Sequence, residues 1–169
     1  DEDKFSKSET ERIEEAVKEA ITVLQGAENG WRMELYPEGE RIYGGYTLFL
    51  KFNTDNTVVA SSENFAAGKT ESSYYSVVAE SGPVLAFDTN NDIIHFYSSP
   101  TTGAELGIGT SNGGLEGDSD FIVMEASADF VKLKGRKTNN YAYLYPIEAG
   151  VNWKTELQSY QDAAAKMDL

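Results

Sequence analysis

Trp31-Arg32-Met33-Glu34-Leu35-Tyr36 and, beyond residues 37–45, Tyr46-Thr47-Leu48-Phe49-Leu50-Lys51-Phe52 decide the fold class. In the first stretch Trp31, Met33 and Leu35 alternate with Arg32, Glu34 and Tyr36. In the second Tyr46, Leu48, Leu50 and Phe52 alternate with Thr47, Phe49 and Lys51. A period of two sends successive side chains to opposite faces of a strand, so each stretch presents one apolar face to a core. Further short runs follow, each bounded by turn residues: Val58–Ser61, Tyr74–Ala79, Val84–Phe87, Ile93–Tyr97, Phe121–Ala126, Phe130–Lys134 and Tyr141–Ile147. Asn53–Asn56, Gly82-Pro83, Asp88–Asp92, Ala128-Asp129 and Thr138–Asn140 punctuate them. Most of these connections are too short for a crossover helix, so neighbouring strands are expected to pair antiparallel.

Helices flank the strands. Ser8 and Glu11 have capping-box spacing, and Ile13, Ala16, Val17, Ala20, Ile21 and Leu24 then recur at helical period up to Gly26, which predicts a helix over 9–25. At the other end Asn152 is placed as an N-cap for a helix over 152–166, with Trp153, Leu157, Tyr160, Ala164 and Met167 on one face. The expected architecture is mainly β with flanking N-terminal and C-terminal helices. It is an antiparallel meander of about nine strands forming a curved sheet or lipocalin-like barrel, with a sandwich as the alternative. Residues 1–7 read as an acidic tether and 8–169 as a single β-rich domain.

Composition narrows the chemistry. The 169 residues carry 14 basic and 28 acidic side chains, a formal net charge of -14 that repels phosphate backbones and anionic membrane surfaces. Nucleic acid is therefore not an expected partner. Hydrophobic residues make up 40%, enough for a real core, and no stretch approaches the roughly 18 apolar residues of a spanning helix, so a soluble domain is expected. The absence of cysteine removes disulfides, thiol nucleophiles and thiolate metal sites. Asp1 is not a natural initiator, so the start is expected to be a processed or trimmed end.

No catalytic constellation emerges, and the expectation is a protein that is not an enzyme. His95 is the only histidine and sits in an apolar run, where hydrogen bonding within a sheet accounts for it. No Gly-x-Ser-x-Gly elbow is present to raise a serine nucleophile. Asp88, Asn90 and Asp92 have the spacing that opens a calcium loop, but Ile93 and Ser99 stand where the helical motif needs glycine and glutamate. They are the metal candidates, calcium the candidate ion, and a tight turn the simpler explanation; no cofactor is expected. Glu116, Asp118 and Asp120 cluster before a strand, where a carboxylate pair could serve a glycoside hydrolase. Gly107-Ile108-Gly109-Thr110-Ser111-Asn112-Gly113 lacks the lysine of a phosphate-binding loop and reads as part of a long glycine-rich loop over 98–119. Lys132, Lys134, Arg136 and Lys137 concentrate positive charge at one strand end. Tyr141, Tyr143 and Tyr145 share one face of one strand, and such aromatic rows either pack across strands or bind sugars and proteins. These three are the ligand-binding candidates, together with the loop from Gly103 to Gly117.

The order of several pieces resembles a family. Asp3–Phe5, Ser8, Glu11-Arg12, Trp31, Tyr36-Pro37, Gly44-Gly45-Tyr46 and Lys51-Phe52 come first. Ser62-Glu63, Ser73-Tyr74, Gly82-Pro83-Val84-Leu85, Phe87-Asp88-Thr89 and His95 follow, then Gly117-Asp118, Phe121, Leu133–Thr138 and Trp153. Nearly the whole chain resembles a Bacteroidetes domain-of-unknown-function family of outer-membrane lipoproteins; it departs at Ser119-Asp120-Phe121, where an aromatic–acid–Phe triplet is expected. The resemblance implies an exported protein in the cell envelope of a Gram-negative bacterium, at its outer membrane or cell surface. Its only membrane contact would be through a lipidated cysteine upstream of Asp1, and no catalytic residue transfers with the resemblance. The expected function is a non-enzymatic binding module for a glycan, a small nutrient or a protein. A structural or adhesion component with protein partners only is the alternative, and a glycan hydrolase using Asp118 or Asp120 the third reading.

Overall fold

A computed structural model describes residues 8–36, 45–95, 120–137 and 140–167. Helix α1 (Glu9–Gly26) leads into strands β1 (Trp31–Tyr36), β2 (Tyr46–Phe52), β3 (Thr57–Ser62), β4 (Glu71–Ala79) and β5 (Pro83–Phe87). A helical turn, α2 (Asp92–His95), precedes β6 (Asp120–Ser127), β7 (Phe130–Gly135) and β8 (Tyr141–Pro146), and α3 (Trp153–Met167) follows. Each strand pairs antiparallel with the next, and β1 pairs with β8, so eight strands close a barrel. Among the described residues no helix is long and apolar enough to cross a membrane.

The alternation sets the wall. Trp31, Met33 and Leu35 of β1 point inward against Leu48 and Leu50 of β2 and Leu144 and Ala142 of β8. Phe52 meets Tyr75 at 4.9 Å and Phe87 at 6.5 Å, and Phe87 meets Phe121 at 6.2 Å. No residue of this core cluster is more than 7% exposed. A barrel of eight strands has an interior just wide enough to be filled in this way. This barrel resembles a lipocalin in wall and not in cavity: its interior is a packed core.

Helix α1 begins as its sequence indicates, the Ser8 hydroxyl accepting from the Glu11 amide at 3.2 Å. It packs against β2, β4, β5 and β6 and puts Leu24 into the barrel core, over the end that holds the β2–β3 turn. There the Gln25 amide donates to the Tyr75 hydroxyl at 2.8 Å. Gly30 then turns the chain into β1 with φ +87°; a Cβ there would lie 2.6 Å from the Leu50 carbonyl oxygen and 2.7 Å from the Trp153 ring. Helix α3 lies on the outside of the wall over Phe49, the outward residue of β2 that is nevertheless 1% exposed. Leu157, Trp153 and Tyr160 cover it, and Gln161 donates to the carbonyls of Glu63 and Phe65. Asn152 caps α3 by accepting from the Thr155 amide at 3.0 Å. Beyond Gln161 the helix leaves the wall, so Ala164 and Met167 are exposed rather than on a packed face.

The described part of one expected strand, Ile93–Tyr97, is a helical turn. Ile93-Ile94-His95 belongs to α2, and Phe96 and Tyr97 lie outside the described residues. The physical reason is Asn91, whose buried carboxamide oxygen accepts from the Ile93 and Ile94 amides at 3.1 and 3.2 Å, a cap that starts a helical turn. Ile93 and Ile94 still enter the core, but from a turn, and the described residues hold eight strands. The expected tether 1–7 and the glycine-rich loop 98–119 lie outside the described residues.

Glu63, just after β3, accepts from the Thr47 amide at 3.0 Å. Burial outweighs that bond and pushes its carboxyl above the usual range. The folded chain therefore holds this proton at higher pH than the unfolded chain does, and stability falls as pH rises from the ordinary carboxylate range through the folded value. Glu63→Gln, which keeps the accepting oxygen, should raise the thermal midpoint at pH 7, and the gain should vanish below about pH 4. A midpoint lowered equally at both pH values would contradict this account.

Candidate functional site

Outward residues of three adjacent strands form a mixed aromatic and charged surface. On β8 these are Tyr141, Tyr143 and Tyr145; on β1, Arg32, Glu34 and Tyr36; on β7, Phe130, Lys132 and Lys134. The register sets Arg32 beside Tyr145, Glu34 beside Tyr143 and Tyr36 beside Tyr141. Phe130 stacks with Tyr143 at 6.1 Å and lies 5.6 Å from Tyr145, and Tyr36 meets Tyr143 edge-on at 5.9 Å. The three β8 tyrosines remain half-buried, each showing part of its ring to solvent.

Polar groups are fixed among these rings. The Arg32 guanidinium lies over the Tyr145 ring, 4.9 Å from its centroid, and pairs with the Glu34 carboxylate. The Tyr36 hydroxyl donates to the other oxygen of Glu34 at 3.2 Å. Tyr36 rests on Gly45, where a Cβ would meet its ring at 2.6 Å. Lys132 sits 5.4 Å over Tyr141. Arg32 is held on two sides, which fixes a planar donor at the edge of an aromatic row.

Arg32 also lines a cleft of 270 Å³ between α3 and the wall, with Phe49, Pro146, Ile147, Glu148, Val151, Glu156 and Tyr160. Its lining mixes apolar Phe49, Pro146, Ile147 and Val151 with polar Arg32, Glu148, Glu156 and Tyr160. Burial first, then the hydrogen bond and charge of Glu156, hold the Tyr160 hydroxyl above the ordinary phenol range. Arg32 and Glu34 are close enough to influence the same hydroxyl. Tyrosine wall and cleft thus meet at Arg32.

A family profile described as Domain of unknown function (DUF4302) matches residues 1–168. The chain belongs to the DUF4302 family. Searches of curated proteins and of solved structures each returned no match.

The other sequence candidates fall elsewhere in the DUF4302 domain. Asp88 accepts from the Ser76 hydroxyl at 3.1 Å, and Asn90 donates to Asp92 at 2.9 Å, so this trio is engaged in the turn before α2. Among the described residues no group of three His, Cys, Asp or Glu side chains is placed to hold a metal. The His95 Nδ1 lies 3.0 Å from both the amide and the carbonyl of Asn91, a bond within a helical turn rather than within a sheet. Asp120 pairs with Arg136 at 3.7 Å, and Arg136 reaches Glu80 at 2.9 Å, so the positive cluster is partly consumed in crosslinking strands. Glu116, Asp118 and the glycine-rich candidate from Gly103 to Gly117 lie outside the described residues.

Of the residues gathered here, sequence reading singles out the β8 tyrosines as ligand candidates and does not single out Arg32, Glu34, Tyr36, Phe130, Glu156 or Tyr160. The outward positions of Arg32, Glu34, Tyr36 and Phe130 follow from alternation, but the place of the β1 residues beside β8 depends on the β1–β8 closure, and Glu156 and Tyr160 come in with helix α3.

Proposed function

We propose that this DUF4302 domain is a non-enzymatic binding module whose ligand is a glycan held on the tyrosine wall of β8 and β1. The observation that carries the reading is the row Tyr36–Tyr143–Phe130–Tyr145, half-exposed and interleaved with the fixed Arg32–Glu34 pair. A sugar ring offers a C–H face to an aromatic ring and hydroxyls at its edge to charged groups, and this wall presents both within one strand pair. The packed interior supports an outside site, because a lipocalin-style cavity is filled by core side chains. The reading needs neither a catalytic group nor a cofactor. Resemblance to Bacteroidetes lipoproteins supports export and attachment to the outer membrane through a lipidated cysteine upstream, which would bring the wall to glycans at the cell surface.

The test is the thermal midpoint of the purified domain against a panel of host and plant glycans, with calcium and chelator as controls. A ligand that binds only the folded state raises the midpoint, by about 2.7 kcal/mol of stabilisation at a hundredfold excess over Kd. One glycan class should produce the shift, and Tyr143→Ala or Tyr145→Ala should weaken binding about tenfold or more, the equivalent of 1.4 kcal/mol. No shift from any glycan would overturn the reading. It would favour the alternative of a structural or adhesive component with protein partners only. That alternative draws on another part of the barrel surface, where Val78 is 39% and Met124 50% exposed and a groove is lined by Val84 and Ile122.

A further inference from the structure

We infer that the cleft between α3 and the wall is the selective half of this site. It takes one uncharged, hydroxyl-rich ring of a sugar chain whose next ring lies on Tyr145, and it rejects sugars bearing carboxylates. The inference rests on the glycan reading and goes beyond it by naming the ligand's charge and the second point of contact.

The geometry runs through Arg32. Its guanidinium covers part of the Tyr145 ring at 4.9 Å, and the same side chain lines the cleft. Pro146, the residue after Tyr145, lines it too, so the end of the tyrosine row opens into the cleft without an intervening element. At 270 Å³ the cleft lies just below the roughly 300–1,000 Å³ of pockets that engulf a drug-sized ligand, a fit for a single ring. Phe49, Ile147 and Val151 supply an apolar surface for its C–H face.

Charge decides which ring. Glu148 and Glu156 line the cleft directly, and Glu34 neutralises the one guanidinium that does. An entering carboxylate or sulfate would meet the Glu148 carboxylate, the Glu156 carboxylate that holds the Tyr160 hydroxyl, and a cation already paired, inside a molecule of net charge -14. Hydroxyls meet no such penalty. Carboxylates and the oxygen of the Tyr160 hydroxyl accept from them, and the guanidinium edge can donate to them.

The test titrates the intact domain by calorimetry with hexasaccharides of glucose, mannose, xylose and N-acetylglucosamine, and with hexagalacturonate as the anionic probe. At least one neutral hexasaccharide should bind, and hexagalacturonate should bind at least tenfold more weakly than that one. Val151→Trp, which fills the cleft, should weaken the neutral ligand about tenfold or more. Glu148→Gln with Glu156→Gln, which preserves shape, should narrow the gap between neutral and anionic probes severalfold. That narrowing is a change a merely structural role for these residues would not produce, and it stands as the test if Val151→Trp fails to fold. If Tyr145→Ala loses the neutral ligand while the cleft variants bind both probes as the unaltered domain does, the cleft inference is overturned and the glycan reading stands. If hexagalacturonate binds as tightly as the neutral chain, charge selection is overturned. If no hexasaccharide binds the unaltered domain, the inference falls together with the reading beneath it.

Discussion

Trp31→Ala should lower the free energy of unfolding by about 4 kcal/mol, a large part of the roughly 5–15 kcal/mol that holds a domain together. Trp31 is the first residue of β1, 0% exposed, and pairs in register with Leu50 on one side and Pro146 on the other. Truncation removes the largest side chain of the core where the barrel closes, and the surrounding strands cannot collapse around the gap without breaking two ladders. A second loss accompanies the cavity. The indole N–H donates to the Leu24 carbonyl at 2.9 Å, a buried bond that ties the end of α1 to the barrel. Trp31→Phe should cost less, about 1–2 kcal/mol, because it keeps most of the packing while stranding that carbonyl. Urea unfolding followed by far-ultraviolet circular dichroism separates the three proteins, provided the slope against denaturant is unchanged. Equal stability of Trp31→Ala and the unaltered domain would mean that the barrel does not close on this residue.

Asn91→Ala should cost about 3 kcal/mol, an unusual loss for removing one polar side chain. Asn91 is 0% exposed and its carboxamide makes four bonds. The oxygen accepts from the Ile93 and Ile94 amides, and the nitrogen donates to the Glu71 carbonyl at 3.2 Å and the Ser73 hydroxyl at 3.1 Å. Alanine strands a helix cap and two sheet groups together, the two cap amides and the Ser73 hydroxyl buried and the Glu71 carbonyl partly so. Asn91→Asp keeps the cap oxygens but sets a buried negative charge against the Glu71 carbonyl, so at neutral pH it should be no milder than alanine. Hydrogen exchange adds a local reading: the amides of Ile93 and Ile94 should lose protection in Asn91→Ala more than those of β1. Unchanged protection there would contradict the role given to Asn91.

The same two residues show what could be read in advance. Trp31 was legible as core because Arg32, Glu34 and Tyr36 separate it from Met33 and Leu35, and a period of two admits few other interpretations. Ile93-Ile94-His95 offers no polar alternation, and a short apolar run is equally compatible with a strand or a buried helical turn. The group that decided between them was Asn91, which in sequence is one more turn residue after Asp88 and Asn90. Phe49 carried an unused signal: a large aromatic among Thr47 and Lys51 on the outward face calls for a cover, and α3 supplies it. The candidate site was half visible for a similar reason. Tyr141, Tyr143 and Tyr145 declare a shared face by spacing alone, whereas Arg32 and Glu34 join them only through the pairing of β1 with β8, more than a hundred residues apart in the chain. The cleft further requires α3 to dock, a contact fixed by Trp153 donating to the Asn29 carbonyl at 3.0 Å and by Gln161 at the other end.

Backbone amide shifts of the isotopically labelled domain, followed as a neutral hexasaccharide is added, test the central claim most directly. A glycan held on the outer wall should move the amides of Arg32–Tyr36, Tyr141–Tyr145 and the start of α3, leaving those of β4 and β5 in place. Shifts confined to β4, β5 and β6, or no shifts with any sugar of the panel, would contradict it.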